Sequence, residues 1–210
     1  MPRLKVCGIN DAAFAIEAAQ RGIDYLGLIF ADGSPRRVTV EQAVEIVSAV
    51  RERGLAPRFV GVFVDHSVKE MLSIAAAVRL DTIQLHGDYG AEDVAALKSA
   101  GCEVWILHQA ESDAEEIADA VLLDGRCGEK RGGTGMRADW SLVAPLKQAG
   151  RRVVLAGGIS AENFAAAIAT GADVIDINSS IEASPGNKSV ELLDELMSAA
   201  SHCGQSWKSV

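Results

Sequence analysis

The sequence lacks any apolar run of the roughly 18 residues that a membrane-spanning helix needs. Its N-terminus also lacks the basic, apolar and small-residue regions of a signal peptide. Four cysteines are widely scattered, without a C-x-x-C spacing or the framework of a disulfide-stapled secreted scaffold; they are Cys7, Cys102, Cys127 and Cys203. These absences predict a cytoplasmic location, reduced thiols and no membrane partner.

An excess of basic residues is also missing. Lys and Arg number 20 against 29 Asp and Glu, which gives a net charge of -9 and a pI of about 4.9. This balance argues against a nucleic-acid partner, because nucleic-acid binding needs a positive surface. It also sets a condition on any anionic substrate, which would have to be held by a local Arg, Lys or helix N-terminus.

The chain contains no linker, composition shift or low-complexity tract that would mark a domain boundary. Short apolar runs alternate with alanine-rich amphipathic stretches, and counting gives eight strand–helix units. The strands are expected at "LKVCGI", "YLGLIF", "RFVGVFV", "TIQL", "EVWIL", "AVLLD", "RVVLA" and "DVIDI". We therefore predict an α/β fold in which residues 1–210 form a single (β/α)8 TIM barrel. The alternative is an open doubly wound sheet, which favours a glycine-rich G-x-G-x-x-G turn after strand 1; "CGINDAA" is not such a turn.

Barrel active sites lie at the C-terminal ends of the strands, and several chemically capable residues fall at those ends. Strand 1 ends at Cys7, Arg36 follows strand 2, His86 follows strand 4, Asp124 ends strand 6 and Asp176 stands in strand 8. Each has an ordinary structural explanation, and a free cysteine in particular is usually buried and inert. Their convergence on one rim favours a functional site.

Small residues follow strands 7 and 8, in "LAGGIS" and "DINSSIE". We predict that Gly157 and Gly158 expose backbone N–H groups before a helix, and that Ser179 and Ser180 do so on a short extra helix. The loops after these two strands form the usual phosphate site of a barrel. The long segment after strand 6, "GRCGEKRGGTGMRA", is predicted to be a functional loop carrying Arg126, Lys130 and Arg131, whereas Cys127 has no expected role.

These residues resemble a family over essentially the whole chain. The segments "KVCGI", "SPR", "QLHGD", "LLDG" followed by "GGTG" and "DW", "LAGGI" and "SSIEASPGNK" occur in the order found in phosphoribosylanthranilate isomerases. In the strand-8 loop this chain has Asn178 and Ser180, where the family usually has Ser and Gly. The resemblance implies a (β/α)8 enzyme of tryptophan biosynthesis that converts N-(5-phosphoribosyl)anthranilate into 1-(2-carboxyphenylamino)-1-deoxyribulose 5-phosphate by an Amadori rearrangement.

The same resemblance implies roles for individual residues. Asp124 would be the general acid that opens the ribose ring, and Cys7 the general base that removes the proton from C2. Arg36 is similar to the arginine that holds the anthranilate carboxylate. His86 and Asp176 would line the region that binds the ribose and the aromatic amine. Neither proton transfer requires a metal or an organic cofactor.

Two other functions remain open at the level of sequence. One is a related aldose-ketose isomerase of broader specificity, although its relatives carry Asp on strand 1 where this chain has Cys7. The other is a non-catalytic barrel that binds a phosphorylated ligand, which would need neither Cys7 nor Asp124. No extra element marks an interface between subunits, so a monomer acting on a small phosphorylated substrate is expected.

Overall fold

The structure is a computed structural model that describes residues 1–110, 112–125 and 138–201. The strands are β1 (Arg3–Cys7), β2 (Tyr25–Ile29), β3 (Arg58–Phe63), β4 (Thr82–Leu85), β5 (Glu103–Leu107), β6 (Ala120–Leu123), β7 (Val153–Leu155), β8 (Val174–Ile177), β9 (Glu182–Ser184) and β10 (Asn187–Lys188). The α-helices are α1 (Ala12–Gln20), α2 (Val40–Glu52), α3 (Val68–Val78), α4 (Ala91–Ser99), α5 (Asp113–Ile117), α6 (Val143–Gln148), α7 (Phe164–Ala169) and α8 (Val190–Ser201). Two 3₁₀ helices cover Trp140–Leu142 and Ser179–Ile181.

Strands β1 to β8 form a closed parallel barrel in chain order, with a helix after each strand. The barrel closes where β1 pairs with β8, and in that pairing Lys5 lies opposite Asp176. The (β/α)8 prediction is therefore confirmed. The short antiparallel pair β9–β10, which follows β8, was not predicted.

Two apolar layers hold the barrel together, because alternate residues of each strand face its interior and its exterior. The inner layer is filled by Tyr25, Val60, Trp105, Ala120, Leu122, Val154, Ala156 and Val174. Trp105 is fully buried there, and its ring meets the Tyr25 ring edge-on with centroids 5.0 Å apart. The outer layer packs the strands against the helices.

Three helices begin with a side-chain cap. The side chains of Asp11, Thr39 and Ser67 accept hydrogen bonds from the first turns of α1, α2 and α3. In the part of the chain that the structure describes, no helix is long and apolar enough to cross a membrane.

A fourfold repeat of aspartates connects the strand pairs. Asp24, Asp81, Asp119 and Asp173 each precede an even-numbered strand. Each carboxylate accepts the backbone N–H of a residue in the preceding odd-numbered strand, at 2.7–2.8 Å. Each aspartate N–H donates in return to the carbonyl of that same residue. The barrel is thus built from four similar strand pairs, whose N-terminal ends are joined by charge-assisted hydrogen bonds.

Candidate active site at the C-terminal end of the barrel

Every candidate residue within the described chain lies at the C-terminal end of the barrel. Cys7 ends β1, Arg36 lies between β2 and α2, His86 follows β4, Asp124 follows β6, Gly157 and Gly158 follow β7, Asp176 is in β8, and Ser179 and Ser180 follow β8. Arg126, Cys127, Lys130, Arg131 and Cys203 lie outside the described residues. The predicted loop after strand 6 therefore stays a prediction.

Cys7 is only 5% exposed and points into the barrel. A Cβ added at Gly27 on β2 would lie 2.9 Å from Cys7 Sγ, so the absence of a side chain at Gly27 makes room for the thiol. Burial raises the pKa of the Cys7 thiol, the ammonium of Lys5 lowers it, and the Asp176 carboxylate raises it; a smaller lowering comes from Lys188. The net direction is upward, so the positive groups are needed for any thiolate to form.

Asp124 and His86 lie next to each other at the barrel mouth, with His86 Nε2 3.6 Å from Asp124 Oδ2. Their side chains are 16% and 13% exposed, so both can reach a ligand in the mouth. Gly157 packs on Asp124: its φ is +81°, and an added Cβ would lie 2.8 Å from Asp124 Oδ1 and 2.3 Å from the nitrogen of Gly125. Both the backbone conformation and the space therefore require glycine at position 157.

Asp176 links the two halves of the site. Its carboxylate receives a hydrogen bond of 2.6 Å from Lys5 Nζ. The negative charge of Asp176 acts on the Cys7 thiol, and that of Asp124 acts on Asp176. Asp176 therefore contributes to the electrostatic surroundings of Cys7, and its own surroundings include Asp124.

Arg36 is held by a partner that the sequence did not reveal. Its Nε and Nη2 donate to Oε1 and Oε2 of Glu182, both at 2.7 Å, which is the bidentate geometry of a strong ion pair. Lys188 Nζ donates to the same Glu182 at 2.8 Å and to the carbonyl and side-chain oxygens of Asn178 at 2.9 and 2.8 Å. This pairing occupies the Nε–Nη2 edge of the guanidinium and leaves its Nη1–Nη2 edge for another anion.

Three members of the site were not predicted from the sequence: Lys5, Glu182 and Lys188. Glu182 and Lys188 stand in the quoted segment "SSIEASPGNK", and Lys5 lies two positions before Cys7, on the same face of β1. Lys5 could have been predicted from the alternation of side chains along β1, which places residues 5 and 7 on the same face. The Arg36–Glu182 pair spans 146 residues of sequence and offered no local signal.

The lowered pKa of Glu182 predicts how the free energy of unfolding changes at acid pH. Burial alone would raise its pKa, but the hydrogen bonds from Arg36 and Lys188 lower the pKa from 4.5 to about 2. A depressed pKa stabilises the fold above the unfolded-state value, and that stabilisation is lost as the pH falls toward 2. At pH 7, Glu182→Gln is expected to lower the free energy of unfolding by about 3 kcal/mol, from the size of the shift.

Urea denaturation of both proteins at several pH values measures this effect. The difference between wild type and Glu182→Gln should shrink to roughly half near pH 3, because the carboxylate of the unfolded wild-type chain is then protonated while that of the folded chain is still largely ionised. Glu45→Gln, an exposed position on α2, is the control and should change stability little at either pH. A difference between wild type and Glu182→Gln that stays constant with pH would contradict the assignment.

The loop after β7 differs from the expectation in one respect. Helix α7 begins at Phe164, whereas the sequence predicted that a helix would follow Gly158 almost at once. Asn163 organises the intervening turn: its Nδ2 donates to the carbonyl of Gly158 at 2.8 Å, and its Oδ1 accepts the N–H of Ser160 at 3.0 Å. The N–H groups at positions 157 and 158 are therefore presented by an asparagine-stabilised turn.

The short extra helix predicted after strand 8 is present as the 3₁₀ turn Ser179–Ile181. Ser180 is not among the described non-glycine residues with positive φ, which are Asp65 and Arg79. The serine at this position therefore imposes no left-handed backbone strain. Ser180 Oγ has no hydrogen-bond partner among the described residues.

Within the described ranges, no group of three or more His, Cys, Asp or Glu side chains is arranged to hold a metal ion. The charged groups at the barrel mouth are instead engaged in pairs, Lys5 with Asp176 and Arg36 with Glu182. The chemistry that this arrangement offers is proton transfer and anion binding.

Comparisons with known proteins agree on one family. Residues 4–199 match the family model described as N-(5'-phosphoribosyl)anthranilate (PRA) isomerase. The N-(5'-phosphoribosyl)anthranilate isomerase of Rubrobacter xylanophilus is 40% identical over 209 residues, which cover 95% of this chain and 99% of the relative.

Solved structures give the same result. The phosphoribosyl anthranilate isomerase of Thermus thermophilus is 34% identical, with a TM-score of 0.82 over 96% of this chain and 99% of the other. A further phosphoribosyl anthranilate isomerase, in complex with reduced 1-(o-carboxyphenylamino)-1-deoxyribulose 5-phosphate, is 27% identical with a TM-score of 0.79, and the match covers 96% of this chain and all of that one.

Proposed function

The chain belongs to the N-(5'-phosphoribosyl)anthranilate isomerase family and is an isomerase of tryptophan biosynthesis, and we propose that Asp124 and Cys7 are its general acid and general base. The observation that carries this assignment is that Cys7 and Asp124 lie at the same end of the barrel, where Cys7 packs beside the Lys5–Asp176 pair and Asp124 lies 3.6 Å from His86. An acid and a base at one barrel mouth suit an isomerisation that moves two protons within one substrate.

Asp124 acts first. Its proton goes to the ring oxygen of the ribose, the bond between that oxygen and C1 breaks, and an iminium forms between C1 and the anthranilate nitrogen. His86 lies 3.6 Å from the carboxylate and is a neighbour that can orient it. The exposed fraction of Asp124 gives it access to a sugar in the mouth.

Cys7 acts second. The thiolate takes the proton from C2, the electron pair enters the C1–C2 bond, and the iminium nitrogen becomes neutral in the resulting enolamine. The ketone then forms when C2–OH loses a proton and C1 gains one. A thiolate suits this step because it faces a cationic intermediate, and Lys5 and Lys188 also favour the charged form of Cys7.

Other groups at the mouth support binding of the two substrate anions. The Nη1–Nη2 edge of Arg36 offers two parallel N–H donors to the anthranilate carboxylate, while Glu182 fixes the other edge. The phosphate is assigned to the loops after β7 and β8, with backbone N–H groups from Gly157, Gly158, Ser179 and Ser180. These local donors offset the repulsion that a protein of net charge -9 exerts on an anion.

Loss of phosphoribosylanthranilate fluorescence on mixing with the purified protein tests the activity. We expect complete conversion of this substrate and no turnover of a histidine-pathway aminoaldose. Turnover of both would favour the broader aldose-ketose isomerase. Binding without turnover at any substrate concentration would favour the non-catalytic barrel.

A further inference from the structure

Lys5 is a buried cation to which the proposed mechanism assigns no step. Its side chain is fully buried, within the barrel interior on β1. A lysine is almost never buried to this extent unless it is paired, because removing an ammonium from water costs several kcal/mol. The position therefore needs a structural or a functional reason.

The ammonium of Lys5 is fixed in place from two sides. Its Nζ lies 2.6 Å from Oδ2 of Asp176, the residue that faces it across the β1–β8 junction. The absence of a side chain at Gly27 accommodates Lys5 as well as Cys7, since an added Cβ there would lie 3.2 Å from Lys5 Cε and 2.9 Å from Cys7 Sγ. Lys5 and Cys7 are thus packed against the same gap in the wall of the barrel.

The charged groups that act on Cys7 come from every side of the mouth. Lys5 shares its strand, Asp176 lies on β8, Lys188 on β10, and Arg36 reaches in from the loop after β2. Lys5 and Cys7 pack against the same glycine, Gly27, and the positive charge of Lys5 favours the thiolate. Burial lowers the pKa of Lys5, yet Asp176 and Cys7 together raise it above its ordinary value, so the ammonium stays charged.

We propose that Lys5 is a positioning residue for Cys7: its ammonium, held by Asp176, is the main cation that stabilises the thiolate at the barrel mouth. This inference rests on the proposed role of Cys7 as the general base. A purely structural Lys5–Asp176 pair would close the barrel between β1 and β8 without changing the ionisation of the thiol. The two possibilities differ in a directly measurable property, the pH at which Cys7 becomes reactive.

The experiment measures alkylation of Cys7 by iodoacetamide as a function of pH, with the Cys7 peptide quantified by mass spectrometry. Lys5→Met/Asp176→Asn removes both charges of the pair, so that no buried ion is left unpaired. In this double variant we expect the pH midpoint of Cys7 alkylation to rise by about one unit or more. A rise of one unit is a tenfold loss of thiolate at a given pH below the midpoint. The acid limb of the kcat/KM profile should move upward with it.

Asp176→Asn alone should shift the midpoint the other way. This variant keeps the ammonium and removes the carboxylate that opposes the thiolate, so alkylation should begin at lower pH. If the double variant does not fold, Lys5→Gln decides, because it removes only the ammonium and should raise the alkylation midpoint, whereas a purely structural Lys5 would leave the midpoint unchanged. Lys98→Met/Asp119→Asn breaks another lysine–aspartate contact of 2.6 Å, away from Cys7, and should leave the midpoint unchanged.

An unchanged midpoint in Lys5→Met/Asp176→Asn, or an upward shift in Asp176→Asn, would overturn the proposal. A different result would show that Cys7 is not the general base: the Cys7→Ala variant would keep its turnover. That result is independent of the pH midpoint of Cys7 alkylation. The alkylation readout does not depend on catalysis, so the two failures can be told apart.

Discussion

Replacing Cys7 with alanine is expected to lower kcat by about a hundredfold or more, the usual scale for removal of a general acid or base. Asp124→Asn should have an effect of the same size, because the amide cannot donate the proton that opens the ribose ring. KM should change far less in both variants, since neither group is assigned to hold the carboxylate or the phosphate.

Loss of substrate fluorescence under saturating conditions measures these effects. Cys102→Ala is the matched control for the thiol, because Cys102 is a free cysteine outside the barrel mouth and should leave kcat unchanged. Near wild-type kcat in Cys7→Ala would show that the thiol is structural. A retained kcat in Asp124→Asn would move the acid role to another group, with His86 as the nearest titratable neighbour.

The cations near the proposed acid–base pair are balanced by carboxylates. Lys5 and Arg36 are each compensated by a carboxylate, Asp176 and Glu182 respectively. A thiolate at Cys7 with a protonated Asp124 carries the same total charge as a thiol with an ionised Asp124. If Asp124 and Cys7 are the acid and the base, as we propose, turnover exchanges these two states without a change in net charge, which limits the electrostatic cost of the proton transfers.

The sequence predicted the barrel because its signals are local and repeated. Apolar strands and amphipathic helices alternate eight times at nearly even spacing, and the strands at Thr82–Leu85 and Glu103–Leu107 agree with the prediction at both ends. Helix α7 begins later than the sequence predicted, because the Asn163 side chain forms hydrogen bonds within the turn that precedes the helix. Such a choice depends on three-dimensional hydrogen bonding, which periodicity does not report.

The candidate site could be predicted only where residues sit at strand ends. Cys7 and Asp124 were found in this way, since the C-terminal ends of barrel strands share one rim. The pairs that organise the mouth were not found, because Lys5 and Asp176 are 171 residues apart and come together only when the barrel closes. The roles of all these residues in catalysis remain predictions.

Arg36→Met is expected to raise KM for phosphoribosylanthranilate by an amount equivalent to roughly 1.5–3 kcal/mol, the range for hydrogen bonds to a charged group. Methionine keeps much of the apolar stem but removes the two donors proposed to face the anthranilate carboxylate. Because Glu182 still has Lys188 as a partner, the loop should keep its position, and kcat should fall much less than KM rises.

The neighbouring residue provides a matched control. Arg37 pairs with Asp32 at the surface, where the two side chains are 49% and 92% exposed, so Arg37→Met should leave KM unchanged. A second comparison uses a substrate analogue that lacks the anthranilate carboxylate. If Arg36 binds that carboxylate, wild type and Arg36→Met should bind the analogue with similar affinity, and the tenfold or larger difference should appear only with the full substrate. An equal loss for both ligands would mean that Arg36 supports the mouth without contacting the carboxylate, and an unchanged KM would assign the carboxylate to another cation.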